Sequence, residues 1–347
     1  MKDREKSEKL KWFSWLKWIV TAIVLIFLAL TILRLDIQSL LDSIKQISPW
    51  TVFLLFGLQI VTQLLINLQW HQITKSFTSP IGFGEMLYVN AQAEIIHIAP
   101  GGHIGCDVFR AVQIHRCGDI SGEQSASVVA IQKLFSLSAF FTISLVSMGF
   151  FIGQVPWLQE THFQILLYGL LTLFLILLGC VFVIPYRMSA YLNKRWKKEA
   201  RFSWVNKLQS FVINSLNHVA YLGKNTKILI RLILIAFAIW ILYPLKLYLL
   251  AFQLMPDVSA LHVTAAAFLS YTVAMIPIFP GGLGGFEATM TGLLLSMGFA
   301  QGGALVITVM FRFATFWFVI LMNLVYLVGY KGMYLQNRKQ KHNKGKL

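Results

Sequence analysis

The sequence predicts an all-α integral membrane protein of about eight transmembrane or re-entrant helical segments. Three observations carry that prediction. Hydrophobic residues make up 57% of the 347 residues and charged residues only 13%, against roughly 45–50% and about 25% in ordinary soluble chains. Mean hydropathy is +0.67. The apolar runs are interrupted twice by Pro-Gly-Gly, in "IAPGGHIGCDVFR" (98–110) and "IFPGGLGGFEA" (278–288), each followed by ionisable residues.

A crossing helix needs about 20 apolar residues, and six runs qualify: 18–33, 50–70, 127–152, 164–184, 229–254 and 303–330. Two shorter runs, 261–279 and 286–300, cross twice or dip in and return. The first run follows a basic stretch, but no small-x-small cleavage site precedes "RLD", so it reads as a retained span rather than a signal peptide. Trp50, Trp70 and Trp157 lie near span ends and read as interfacial anchors. No polar connection exceeds 185–228, so the chain reads as a single polytopic membrane domain over 1–347, with no room for a nucleotide-binding fold.

The net charge of +16 is distributed in a way that argues against nucleic acid. Of 30 Lys and Arg, six fall in 1–18, nine in 185–228 and six in 331–347, while the connections 153–163 and 253–262 have none. The positive-inside rule then places both termini and the 185–228 loop in the cytoplasm of a plasma-membrane protein. Within that loop Trp204, Leu208, Phe211, Val212, Ser215, Leu216 and Val219 recur at helical spacing. They describe either an amphipathic helix on the anionic inner leaflet or a basic loop that only sets topology. The tail 331–347 is basic without an apolar face.

Between the second and third spans, residues 81–124 hold two helical patterns of about 17 and 14 residues around Pro100, Gly101 and Gly102. Each is too short and polar to cross, yet too apolar for a free loop. A re-entrant pair entering from the cytoplasm satisfies both constraints. Non-helical backbone at membrane depth is tolerated only where protein or a water-filled cavity surrounds it. The second break, at Pro280, Gly281 and Gly282 with Gly284 and Gly285 following, comes 180 residues later and is predicted to enter from the other side. Short Gly/Pro-interrupted segments in corresponding places of two halves point to a midplane substrate site between inverted repeats.

Ionisable residues inside spans cost about 2.5–3.5 kcal/mol each on insertion scales. The candidates are Glu85, Glu94, His97, Asp107, Arg110, Arg116, Lys133, Lys246, Glu287 and Arg312. Arg110, Lys246 and Arg312 are expected to contact a phosphate or phosphodiester, Arg through its bidentate fork. Glu94, Asp107 and Glu287 pair with those bases when the site is empty, or accept an amine or a proton. Helix starts after each Pro-Gly-Gly offer free N–H groups and a positive dipole end to an anion. The plainer alternatives stay open: Glu287 and Arg312 as a helix-locking ion pair, Arg110 and Arg116 as cytoplasm-facing anchors, the glycines as tight turns. His103, Cys106, His115 and Cys117 match no common structural zinc spacing. Cys106, Cys117 and Cys180 form no C-x-x-C pair. No metal or cofactor is expected.

"APGGHIGCDVFRA", "FPGGLGGFEATMTGLLLSMG" and "FRFATFW" resemble the transmembrane region of the lysylphosphatidylglycerol synthases, the flippase half of the multiple peptide resistance factor, over roughly residues 15–332. The resemblance implies a bundle of about eight helices that moves a charged lipid between leaflets, lowering surface negative charge and blunting cationic antimicrobial peptides. It implies a lipid translocase for an anionic or aminoacylated phospholipid or a polyprenyl phosphate, with a membrane lipid as partner. The alternative is a membrane-embedded transferase, or an accessory subunit of a separate synthase in lysylphosphatidylglycerol or glycolipid synthesis. Homo-oligomerisation is a further expectation. The chain ends about 15 residues after its last span, so the family's aminoacyltransferase activity is not carried over. The resemblance maps its recurring positions onto Pro100, Gly101, Gly102, Arg110, Pro280, Gly281, Gly282, Gly284, Gly285, Glu287 and Arg312.

Overall fold

The computed structural model describes residues 37–76, 81–96, 102–118, 120–151, 185–196, 203–275 and 282–330, with scattered helical positions between 161 and 179. The described residues form helices and no strand. In chain order they are α1 (Ile37–Gln46), α2 (Pro49–Thr74), α3 (Phe83–Ile96), α4 (Gly102–Gly118), α5 (Gly122–Phe151), α6 (Pro185–Arg195), α7 (Ser203–Lys224), α8 (Thr226–Leu254), α9 (Ala260–Ala274), α10 (Gly285–Ser296) and α11 (Gln301–Tyr330). Four of these, α2, α5, α8 and α11, are long and apolar enough to cross a bilayer. They match four of the six expected spans. The span expected at 18–33 lies outside the described residues, and the one at 164–184 is described only at scattered helical positions.

Each long helix starts for a local reason. Ser48 caps α2 by accepting from the Trp50 N–H at 3.3 Å, with Pro49 at the first helical position, where its missing N–H costs nothing. Asn225 caps α8 through the Ile228 N–H. Ser121 and Gln124 exchange backbone N–H bonds at the start of α5, at 3.1 and 3.0 Å, a reciprocal capping arrangement.

The spans α2 and α8 pack antiparallel. Ser48, before α2, donates its N–H to Gln253 near the end of α8, and Gln59 meets Lys246 further in. The broken pair α3/α4 follows the end of α2, and the pair α9/α10 follows the end of α8. The two pairs therefore sit at opposite ends of the bundle. Each pair leans on the other's following span: Phe140 of α5 contacts Phe268 of α9, ring centroids 5.0 Å apart, and Tyr88 of α3 stacks on Tyr330 of α11 at 4.6 Å. The core divides accordingly. One apolar cluster gathers around Trp70, Met86, Ile131 and Leu232, the other around Leu250, Ala266, Phe286 and Phe311.

The described residues of the 185–228 loop are largely helical, as the periodicity of 204–219 predicts, but the apolar face is not laid on lipid alone. Leu216, Val219 and Leu222 of α7 are buried, Ser215 Oγ donates to Ser127 Oγ of α5 at 3.1 Å, and Asn214 bonds Glu123. The C-terminal half of α7 is docked on α5, and Leu208 and Tyr221 remain exposed. The face that reads as a membrane ligand is in large part a protein contact, because period and polarity alone do not distinguish the two apolar surroundings.

Candidate functional site at the meeting of the two broken helices

At the first break the helices are α3, of 14 residues, and α4, of 17. The order of lengths is the reverse of the predicted one, because Ile81 and Gly82 precede the helix. Glu85 closes that start by accepting the Gly82 N–H at 3.2 Å. Pro100 and Gly101 lie outside the described residues, as does His97, and Gly102 opens α4.

Arg110 is the hub of this region. Its guanidinium donates to Glu94 at 2.5 Å, to Asp107 at 3.1 Å and to Asn90 at 3.2 Å, and it lies over the Trp70 ring, 5.2 Å from its centroid. Arg110 is 4% exposed, which removes the cytoplasm-facing anchor reading for this residue. Arg116 is exposed and remains compatible with it. Trp70 is likewise buried, contrary to its reading as an interfacial anchor, because the indole serves as a platform for a cation. Asp107 reaches Lys133 of α5 through its other oxygen, 3.0 Å away. Asn90 is held by Asn67 at 2.9 Å, and Asn67 donates to the Phe83 carbonyl.

The second break is organised differently. Pro280 and Gly281 lie outside the described residues. Gly282 and Gly284 have φ of +72° and +84°, the left-handed region that glycine enters without steric cost. A Cβ on Gly282 would stand 2.8 Å from the Ala274 Cβ, so the turn reading of that glycine holds on geometry. Gly285 opens α10. The Glu287 carboxylate accepts the Gly284 N–H at 2.5 Å through one oxygen and forms an ion pair through the other with Arg312, whose Nε lies 2.9 Å away. An internal carboxylate therefore occupies the helix start that the sequence assigns to an anion. Arg312 lies between Phe286 and Phe316, 4.9 and 4.4 Å from their centroids, which holds its plane. Immediately after it, Phe313–Trp317 form a π-turn inside α11, a feature found disproportionately at functional sites.

Between the two breaks lies a cavity of about 140 Å³. Its polar wall is Gln63 of α2, Glu94 of α3, Tyr243 of α8, Tyr271 of α9, and Arg312 and Thr315 of α11. Glu94 stands two residues before the end of α3 and Tyr271 three before the end of α9. The tip of the first half-helix from each break thus reaches the same space, with one acid and one cation facing it.

The predicted residues separate into three groups. Glu94 and Arg312 line the cavity; Asp107, Arg110 and Glu287 stand behind them as their partners or neighbours. Lys246 is fully buried one turn beyond Tyr243 and outside the wall. Its ammonium binds Gln59 and, at 3.2 Å, Thr62, and faces the Tyr243 ring at 4.3 Å. It reaches the cavity through Tyr243 rather than directly. Sequence reasoning missed the neutral members. Gln59, Gln63, Asn67 and Trp70 mark one face of α2 at intervals of three and four, and that polar stripe within an apolar span was the available signal. The Gln59 Nε2 and Gln69 Nε2 atoms have no hydrogen-bond partner among the described residues. Tyr243, Tyr271 and Thr315 carried no comparable signal. Of the four residues weighed for metal, His115 bonds the Ile120 carbonyl at 2.6 Å and Cys106 contacts Arg110. Cys117 is exposed, and the His103 side chain lies outside the description.

Residues 16–322 match the family described as the lysylphosphatidylglycerol synthase TM region. The chain belongs to that family. It is similar to a UPF0104 membrane protein of Methanothermobacter thermautotrophicus, 22% identical over 84% of this chain and 89% of the relative. A UPF0104 membrane protein of Methanocaldococcus jannaschii is 23% identical over 94% and 98%. One of Pyrococcus horikoshii is 30% identical over 34% of this chain and 33% of its own.

Proposed function

We propose that this membrane protein is a lipid translocase of the plasma membrane, with both termini cytoplasmic. Its cargo is an anionic or aminoacylated phospholipid or a polyprenyl phosphate. The observation that carries this reading is the cavity reached by the ends of α3 and α9, where Glu94 of α3 and Arg312 of the span α11 face the same space. A lipid phosphate needs a cation at membrane depth, and Arg supplies a planar fork that binds two oxygens at once. Glu287 is the counter-ion of Arg312 until a phosphate replaces it. The Phe286 and Phe316 rings hold the guanidinium in place throughout that exchange. Glu94 offers a carboxylate to an amine on the same headgroup, and Tyr243 and Tyr271 add hydroxyls and ring faces.

At about 140 Å³ the cavity is below the roughly 300–1,000 Å³ of ordinary small-molecule sites. It suits a phosphate-sized group, so a full headgroup requires the helices to part. Acyl chains stay in the bilayer against exposed apolar residues such as Leu234, Val325 and Val328.

The test is reconstitution into vesicles carrying fluorescent phosphatidylglycerol, lysylphosphatidylglycerol or polyprenyl phosphate, with chemical quenching of the outer leaflet. The expected result is faster loss of protected fluorescence for at least one of these lipids, and a large decrease with Arg312→Lys at unchanged melting temperature. Failure to accelerate all three overturns the proposal. A new lipid species formed from lipid and an activated donor by the purified chain would make it a transferase instead.

A further inference from the structure

The two breaks carry matching ion pairs. Asp107 lies seven residues after Pro100, and Glu287 seven after Pro280. The cation of each pair follows at nearly the same interval, Lys133 at 26 residues beyond Asp107 and Arg312 at 25 beyond Glu287. In space the correspondence is closed: Lys133 to Asp107 is 3.0 Å and Arg312 to Glu287 is 2.9 Å. Each pair joins the second half-helix of its break to the span that follows, α4 to α5 in one case and α10 to α11 in the other. Antiparallel packing of α2 and α8 brings the helices of the first junction in from one end of the bundle and those of the second from the other, and Arg312 of the second junction itself lines the cavity.

We infer that the Asp107–Lys133 and Glu287–Arg312 pairs are equivalent latches, one for each membrane face, that open in alternation to admit a headgroup to the cavity. The inference rests on the translocase reading and adds to it the moving parts. Parting α10 from α11 uncovers the cavity from the second break's end; parting α4 from α5 uncovers it from the first. A carboxylate and a cation make a suitable latch here because an arriving phosphate competes for the cation, so cargo itself releases the contact. The structure is not symmetric between the two. Lys133 and Asp107 have side chains 42% and 20% exposed, and Arg312 and Glu287 only 8% and 13%. Both contacts are made; the first is the more exposed, and its Asp107 is shared with Arg110 at 3.1 Å.

The test reads accessibility of the cavity wall rather than transport alone. In a background with Cys106→Ala, Cys117→Ser and Cys180→Ala, a single cysteine at the cavity (Val319→Cys) is labelled with a membrane-impermeant maleimide in inside-out and right-side-out vesicles. Removing both charges of one latch avoids leaving a lone buried charge. Asp107→Asn with Lys133→Gln is expected to speed labelling from the first break's side. Glu287→Gln with Arg312→Gln is expected to speed it from the opposite side. Each increase should be about fivefold or more, the lower end of ordinary coupling between sites. Lys133→Gln alone and Glu287→Asp, milder changes, serve where a double variant does not elute as a folded species. Acceleration from the same side by both, or from neither side, overturns the latches. Lipid movement measured in the same vesicles separates the two proposals: opposite-sided labelling without lipid movement keeps the latches and sinks the lipid reading, and lipid movement with unchanged labelling does the reverse.

Discussion

The first break disperses charge and the second concentrates it. Around Arg110 the structure gathers Glu94, Asp107, Asn90 and, one step out, Lys133, so Arg110 and Asp107 each have more than one polar partner. Arg312 meets the acid Glu287, whose carboxylate also takes the Gly284 N–H, and two phenyl rings. A shared network tolerates loss of one member because the others re-pair. A pair whose cation lies between two rings is held in one plane, and a competing anion meets that cation already oriented. The same Pro-Gly-Gly signature thus frames a latch embedded in a network at one end and a latch closed by one acid between two rings at the other.

The sharpest way to break this contrast is to neutralise one acid at a time. Glu287→Gln should leave Arg312 buried without its counter-ion and cost roughly 3–5 kcal/mol, read as a large drop in melting temperature and yield. Adding Arg312→Gln should restore stability without restoring lipid movement. If the double variant recovers both, Arg312 is only a helix lock.

A smaller loss should follow Gly282→Ala, which places a side chain at positive φ and 2.8 Å from Ala274. Strain of this kind costs about 1–3 kcal/mol, measurable as a fall in melting temperature, with Gly292→Ala, where the added atom meets open space, as the comparison. Lys133→Gln should cost under about 1 kcal/mol, the range of exposed pairs. A loss as large as that of Glu287→Gln would show that the two ends are energetically alike.

The smallest effect concerns α7, which buttresses the first break's side. Burial holds the His218 imidazole below its ordinary value of 6.5. Above that pH both folded and unfolded forms are neutral and the docked helix keeps its full stability. As pH falls below 6.5 the unfolded form takes a proton first, so stability declines until the folded form also protonates. Limited proteolysis within 185–228 should quicken modestly from pH 7.5 to 5.5, and His218→Gln should flatten that dependence.

Four of the six spans and the short helices that flank the two Pro-Gly-Gly motifs were legible in the sequence because hydropathy and Pro-Gly-Gly act locally. The pairing of Glu287 with Arg312 was also within reach, one short helix apart. What escaped were contacts made by neutral groups and by distance in sequence. Gln59 and Thr62 meet Lys246 across more than 180 residues, and amides carry no charge to flag them. Trp70 beneath Arg110 looked like an interfacial anchor because a span's end and a buried platform share one composition. The π-turn after Arg312 follows from no local propensity in "FATFW" that separates it from an ordinary turn.

The polar stripe of α2 has a consequence for how the chain is made. Gln59, Thr62, Gln63, Asn67 and Gln69 enter the membrane on a helix whose cationic partner, Lys246, is still about 180 residues from synthesis. At roughly 5–20 residues per second that interval is on the order of ten to forty seconds. During it Asn67 and Gln69 find partners on α3 and α5, but Gln59 and Thr62 lack Lys246, and α8 in turn carries an ammonium that lipid alone does not accommodate. Biogenesis is therefore ordered backward from the usual expectation: an early helix is completed by a late one, and a ribosome stalled before residue 246 holds an unfinished pair at the insertion machinery.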